Sequence, residues 1–95
     1  MIWIIVCKDK PGSLDKRLNV LDDHRKYLST NPIKTLVSGP LMNEDQVLNG
    51  SFFMVEANNI DEIKIFQKND PLFKAGIWED IFISPFNKRV DNLSN

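Results

Sequence analysis

The stretch from Ile2 to Lys8 is an unbroken run of β-branched and aromatic side chains, closed by Asp9-Lys10-Pro11-Gly12. Such a run is too short for a helix of ordinary length and lacks the alternation of a half-exposed strand, so it predicts a strand buried on both faces, followed by a turn. A strand of that kind forces the rest of the chain to supply cover.

Two helices and three more strands are available to supply it. Ser13 precedes a helix in which Leu14, Leu18, Leu21, Arg25 and Leu28 fall within one narrow arc at 100° per residue, and Asn31-Pro32 stops the pattern. Lys16 stands where a capping-box acid would, so the start is expected to be capped by the Ser13 hydroxyl alone. Thr35 to Leu41 is a second strand expected to end near Gly39, because Pro40 confines that end to an edge or an exit. A polar loop over Asn43 to Asn49 leads to Gly50 and a third strand, Ser51 to Ala57. Asn59 caps a second helix carrying Ile60, Ile63, Ile65 and Phe66, which ends before Asp70-Pro71 because a residue preceding proline avoids the helical basin. Ile77 to Phe86 is the fourth strand, and Asn87 to Asn95 is a polar tail expected to fray.

The order is β-α-β-β-α-β. Right-handed crossovers put both helices on one face of a four-stranded antiparallel sheet, the ferredoxin-like α+β arrangement, and leave the other face bare. With 95 residues, 42% of them apolar, one domain over residues 1–95 is expected, near the size at which a lone core becomes marginal. The bare sheet face is therefore expected to cover itself by homodimerisation.

Twelve basic and thirteen acidic side chains give a formal charge of −1, too little to gather nucleic acid or anionic lipid. The apolar opening is far short of the roughly 20 residues of a membrane span and has no basic region before it, so a cytoplasmic protein without membrane contact is expected. Cys7, the single cysteine, is expected to be buried and inert. One histidine and one cysteine far apart do not make a metal site, and none is expected.

His24 is the single histidine of the chain. It lies about 80° from Leu14 on the helical wheel, on the same shoulder as Arg17, two turns or about 10.5 Å along the axis. Histidine takes and returns protons near neutrality, and a carboxylate on one ring nitrogen fixes the tautomer and leaves the other nitrogen basic. Asp70 is the candidate carboxylate, with Arg17 placed to hold an anionic group. No serine or cysteine nucleophile completes a triad, so proton abstraction or elimination fits better than acyl transfer. Plainer readings stand beside these: His24 as a surface histidine, Asp70-Pro71 as an ordinary helix cap, Arg17 as a solvated charge, and Gly39-Pro40 as a strand terminator.

Asp9-Lys10, Lys16-Arg17-Leu18, His24, Ser38-Gly39-Pro40, Asn69-Asp70-Pro71, Ala75-Gly76-Ile77-Trp78 and Pro85-Phe86, in this order and spacing, resemble the YciI-like (YCII-related) family over nearly the whole chain to Arg89. The resemblance implies a dimeric α+β barrel of ferredoxin-like protomers, with a pocket holding a histidine and an aspartate that match His24 and Asp70. Gly39 and Pro40 join Arg17 as expected substrate-binding residues. Relatives implied by the resemblance move protons or eliminate HCl, among them a dehydrochlorinase of chlorinated hydroxyhydroquinones. The expected activity is His-Asp proton transfer on a small cyclic or anionic molecule, without a cofactor. The rivals are a binding module that turns nothing over and, from the wider superfamily, a haem protein with an axial histidine. The chain departs from the family pattern in its short Asn43–Asn49 loop and in Asn31-Pro32, where a glycine-containing turn is common.

Overall fold

The computed structural model describes residues 1–93, so residues 94 and 95 of the expected tail lie outside the described residues. The elements are β1 (Ile2–Asp9), α1 (Leu14–Ser29), β2 (Lys34–Met42), β3 (Leu48–Glu56), α2 (Ile60–Lys68), α3 (Pro71–Lys74) and β4 (Trp78–Phe86). The strands form one sheet in the order β2-β3-β1-β4 with every neighbour antiparallel, the ferredoxin-like topology. Among the described residues no helix is long and apolar enough to cross a membrane.

The central strand corrects one expectation. Along β1, Trp3, Ile5, Cys7 and Asp9 are buried while Ile2, Ile4 and Val6 are only half-buried, so within one chain the run has a single fully covered face. The helices take the covered side. Ile5, Cys7, Phe53 and Val55 from the sheet meet Ile63 and Phe66 of α2, Leu72 of α3, and Ile77 with Trp78. Phe53 stands edge-on to Phe66 at 5.4 Å and to Trp78 at 6.3 Å, the geometry that the ring quadrupoles favour. Pairing of Val6 with Phe82 and Phe52, of Ile4 with Met54, and of Ile2 with Phe86 puts those side chains together on the uncovered face.

Local sequence explains most of the boundaries. The Asn59 side chain accepts from Glu62 N at 3.1 Å to start α2. Ser13 is the N-cap of α1, but its hydroxyl makes no cap bond: its backbone (φ −94°, ψ 3°) is not the extended conformation that aims an oxygen at the helix amides. The second strand does not stop at Gly39. It runs on to Met42 with Pro40 opposite Ser51, because β2 is an edge strand and one side of it carries no ladder for a missing N–H to break. The third strand begins two residues before Gly50, at Leu48. At Gly50 a Cβ would come within 2.5 Å of the Cys7 carbonyl oxygen, so that point of the β3–β1 pairing has room for glycine only. Residues 87–93 carry no regular structure.

Candidate active site

Helix α1 turns toward the sheet with Arg17, Val20, Leu21, His24, Tyr27 and Leu28, a set spaced by three and four residues and centred on His24. The leucine arc is thus a flank of the buried face, and Leu18 within it is 50% exposed. The face is rotated because two polar side chains have stronger claims to the interior: each finds a carboxylate there, and a buried charge is tolerated when it is paired.

One carboxylate is Asp70. It is fully buried at the N-cap of α3, where Oδ1 accepts from Leu72 N at 2.8 Å and Pro71 occupies the first helical position. Nδ1 of His24 lies 2.9 Å from both Oδ1 and Oδ2 of Asp70. The carboxylate is the acceptor, so Nδ1 carries the hydrogen and the lone pair is left on Nε2. The ring, 9% exposed, is held edge-on to Phe53 at 6.2 Å. The cap reading and the partner reading of Asp70 therefore describe one side chain with two contacts, and His24 is not a surface residue.

The other carboxylate is Asp9. Arg17 is 1% exposed, and its Nε and Nη2 donate to Asp9 Oδ2 and Oδ1 at 2.7 and 2.9 Å, a bidentate pair. Nη2 also donates to Ser51 Oγ at 2.7 Å. Arg17 is thus neither a solvated charge nor a fully free anion holder: one edge of the guanidinium is committed to Asp9. Its Nη1 makes no protein hydrogen bond among the described residues and is not fully sealed in.

Arg17 and His24 open onto one cavity of about 220 Å³ between α1 and the β2-β3 edge of the sheet, walled by Leu21, Leu28, Leu48 and Phe53. Gly39 and Pro40 lie on its β2 rim with Ser38, and Arg25 stands at its mouth. All five candidate residues meet here, four lining the cavity directly and Asp70 through His24. Such a space is smaller than the roughly 300–1,000 Å³ of drug-sized pockets and suits a single-ring molecule.

Asp9 and Ser51 are the polar residues that sequence reasoning left without a role. Their signal was the strand alternation: Asp9 continues the inward phase of Trp3, Ile5 and Cys7, and Ser51 that of Phe53 and Val55. Cys7 is fully buried beside this machinery, its Sγ 3.6 Å from Gln67 Oε1; burial first, then the Asp70 charge, push the thiol up to about 12. Among the described residues no three His, Cys, Asp or Glu side chains cluster to hold a metal ion.

The fold and site define an α+β protein of ferredoxin-like topology with a buried histidine-carboxylate pair at an apolar cavity. The chain belongs to the YCII-related domain family, whose model matches residues 1–87. Protein YciI of Escherichia coli O6:H1 is 29% identical over 96 residues, covering 93% of this chain and 98% of that protein. Among solved structures, the 5-chloro-2-hydroxyhydroquinone dehydrochlorinase of Burkholderia phenoliruptrix AC1100, in complex with 2,5-dihydroxybenzoquinone, superposes with a TM-score of 0.84 at 34% identity over 92% of this chain and 94% of that one. Protein Atu4242 from Agrobacterium tumefaciens, 17% identical with a TM-score of 0.57 over 99% of this chain and 100% of that one, shares the fold alone.

Proposed function

We propose that this chain is a small cytoplasmic enzyme in which His24 Nε2 takes a proton from, or returns it to, a small cyclic or anionic organic molecule, in a dehydrochlorination, elimination or isomerisation. The observation that carries this reading is the contact of His24 Nδ1 with both oxygens of Asp70. That contact fixes the tautomer, leaves Nε2 basic at the cavity, and sets a negative charge behind the imidazolium that forms. Asp70 is the positioning residue. Arg17 with the Gly39-Pro40 rim holds the substrate.

The similarity to a dehydrochlorinase supports elimination. Ketonisation moves one hydroxyl proton onto the chlorine-bearing ring carbon; loss of a second hydroxyl proton to His24 and of chloride with the C–Cl electron pair then removes HCl and leaves a quinone. Side chains alone carry that step, and a positioned base contributes a factor of about 100 to 10,000. The bare sheet face, with Phe82 58% and Phe86 37% exposed, supports a homodimer.

The test is a turnover screen against lactones and halogenated hydroquinones, followed by chloride release or ring absorbance. His24→Gln is expected to lower turnover by about 100-fold or more while binding of 2,5-dihydroxybenzoquinone changes little. Binding without turnover in the wild type would instead identify a ligand-binding module.

A further inference from the structure

The flank of α1 that carries Leu21, Arg25 and Leu28 lines the cavity opposite β2, and the mouth on this side holds two polar groups that no internal contact explains. Arg25, the chain neighbour of His24, has a side chain 69% exposed, and the carboxylate it meets, Asp22, stands 4.0 Å away in open water. Ser38 lines the mouth from β2, and its hydroxyl has no hydrogen-bond partner among the described residues. In the strand pairing Ser38 lies opposite Phe53, which meets the His24 ring edge-on. Both groups therefore stand at the histidine's end of the cavity. The space continues beyond them. Asn31, left-handed at φ 55°, and Pro32 swing the chain from α1 toward β2, and a more open groove of about 440 Å³ runs on past Ile33 and Thr35. Leu28 and Ser38 line both spaces and form the threshold between them. Lys34 in the groove is paired with Glu56 at 3.0 Å, so the cation left to meet a ligand on this path is Arg25.

We propose that the substrate carries a short flexible side chain ending in a carboxylate, which leaves the cavity between Leu28 and Ser38 and is held by Arg25 and the Ser38 hydroxyl. The proposal deepens the proton-transfer reading and rests on it for turnover. The ring occupies the 220 Å³ cavity, and the groove beyond the threshold gives the tail room. The fork of the guanidinium matches both oxygens of a carboxylate, and the serine hydroxyl donates to one of them. Asp22 is too distant and too hydrated to hold the arginine away from such a group. Because the pair forms at a half-open rim, it supplies selectivity more than affinity. Arg25 and Ser38 touch the tail, remote from the atom that loses its proton, and are specificity-determining residues. A ring with a neutral tail lacks the partner that Arg25 offers.

Calorimetric binding tests this with three probes that share one ring: 3-(4-hydroxyphenyl)propionate, its neutral amide, and 4-methylphenol, which has no tail. The wild type is expected to bind the acid about three- to tenfold more tightly than the amide. Arg25→Gln should erase that advantage by weakening the acid, with the amide and 4-methylphenol nearly unmoved, and Arg25→Lys should keep part of it. Ser38→Leu, which plugs the threshold, should weaken acid and amide together and spare 4-methylphenol. Arg25 and Ser38 are both exposed, so these variants are expected to fold as the wild type does. An acid that fails to bind, binds no better than its amide, or keeps its advantage in Arg25→Gln overturns the proposal. His24→Gln should retain the preference for the acid, so a failed catalytic reading is told apart from a failed carboxylate site.

Discussion

At the scale of single residues, Asp70 Oδ1 accepts the Leu72 amide while both carboxylate oxygens face His24 Nδ1, so a change at this position acts on a helix start and on a ring at once. Asp70→Ala removes the cap and strips a buried imidazole N–H of its acceptor, a loss of about 1–3 kcal/mol in urea unfolding. Asp70→Asn keeps an oxygen for the cap and is expected to lose less. The two differ from wild type together in the ring nitrogen NMR of the single histidine: the Nδ1–H tautomer dominates the neutral form only when the carboxylate is present. Cys7 gives a separate prediction with a definite sign. In the folded chain its thiol is pushed from an ordinary 9.0 up to about 12, by burial foremost, so between those values the unfolded chain ionises first. The contribution of Cys7 to stability is complete below about pH 9 and declines as pH rises toward 12. Wild type should therefore lose more stability than Cys7→Ala between about pH 8 and pH 11, and an equal loss in both would contradict the assignment.

At the scale of elements, the Asp9–Arg17 pair ties the end of β1 to the first turns of α1. Removing one partner strands a charge in the interior. Asp9→Ala and Arg17→Met are each expected to cost about 3–5 kcal/mol, and the double variant distinctly less than the sum of the two. This pair also explains where the sequence misled. A wheel drawn from leucines assumes that apolar side chains define the inward face of α1, yet Arg17 and His24 lie at its centre because each has a buried carboxylate to meet. The partners come from β1 and from the cap of α3, distant in the chain, and no local pattern announces them. By contrast α2 was legible from Asn59 and its isoleucines, since its cap is local and its apolar residues have no charged rivals. The second strand was cut short for the reverse reason: Pro40 ends a central strand but not an edge strand, and edge position is a property of the sheet.

At the scale of the whole molecule, the helices cover one side of the sheet and leave Ile4, Val6, Phe52, Met54, Phe82 and Phe86 on the other. Burying such a face is worth about 25 cal/mol per Å² of apolar surface, and the proposed homodimer is the arrangement that would bury it. A concentration-dependent melting temperature is expected, together with a dimer in sedimentation. Phe82→Arg, at a position 58% exposed in the single chain, should give a folded monomer with that dependence lost. The β-α-β-β-α-β order was legible throughout because apolar runs and their punctuation are local. The run in β1 looked doubly buried because its outer side chains are as apolar as its inner ones. One consequence belongs to Gly50, whose α-carbon sits against the Cys7 carbonyl. A methyl group there would press β3 away from β1 at the residue beside Ser51, so the spacing of the two strands at that point is set by a side chain that is missing. A Gly50→Ala protein should thus unfold at a lower urea concentration than the wild type, although every polar atom of the cavity is still in the chain.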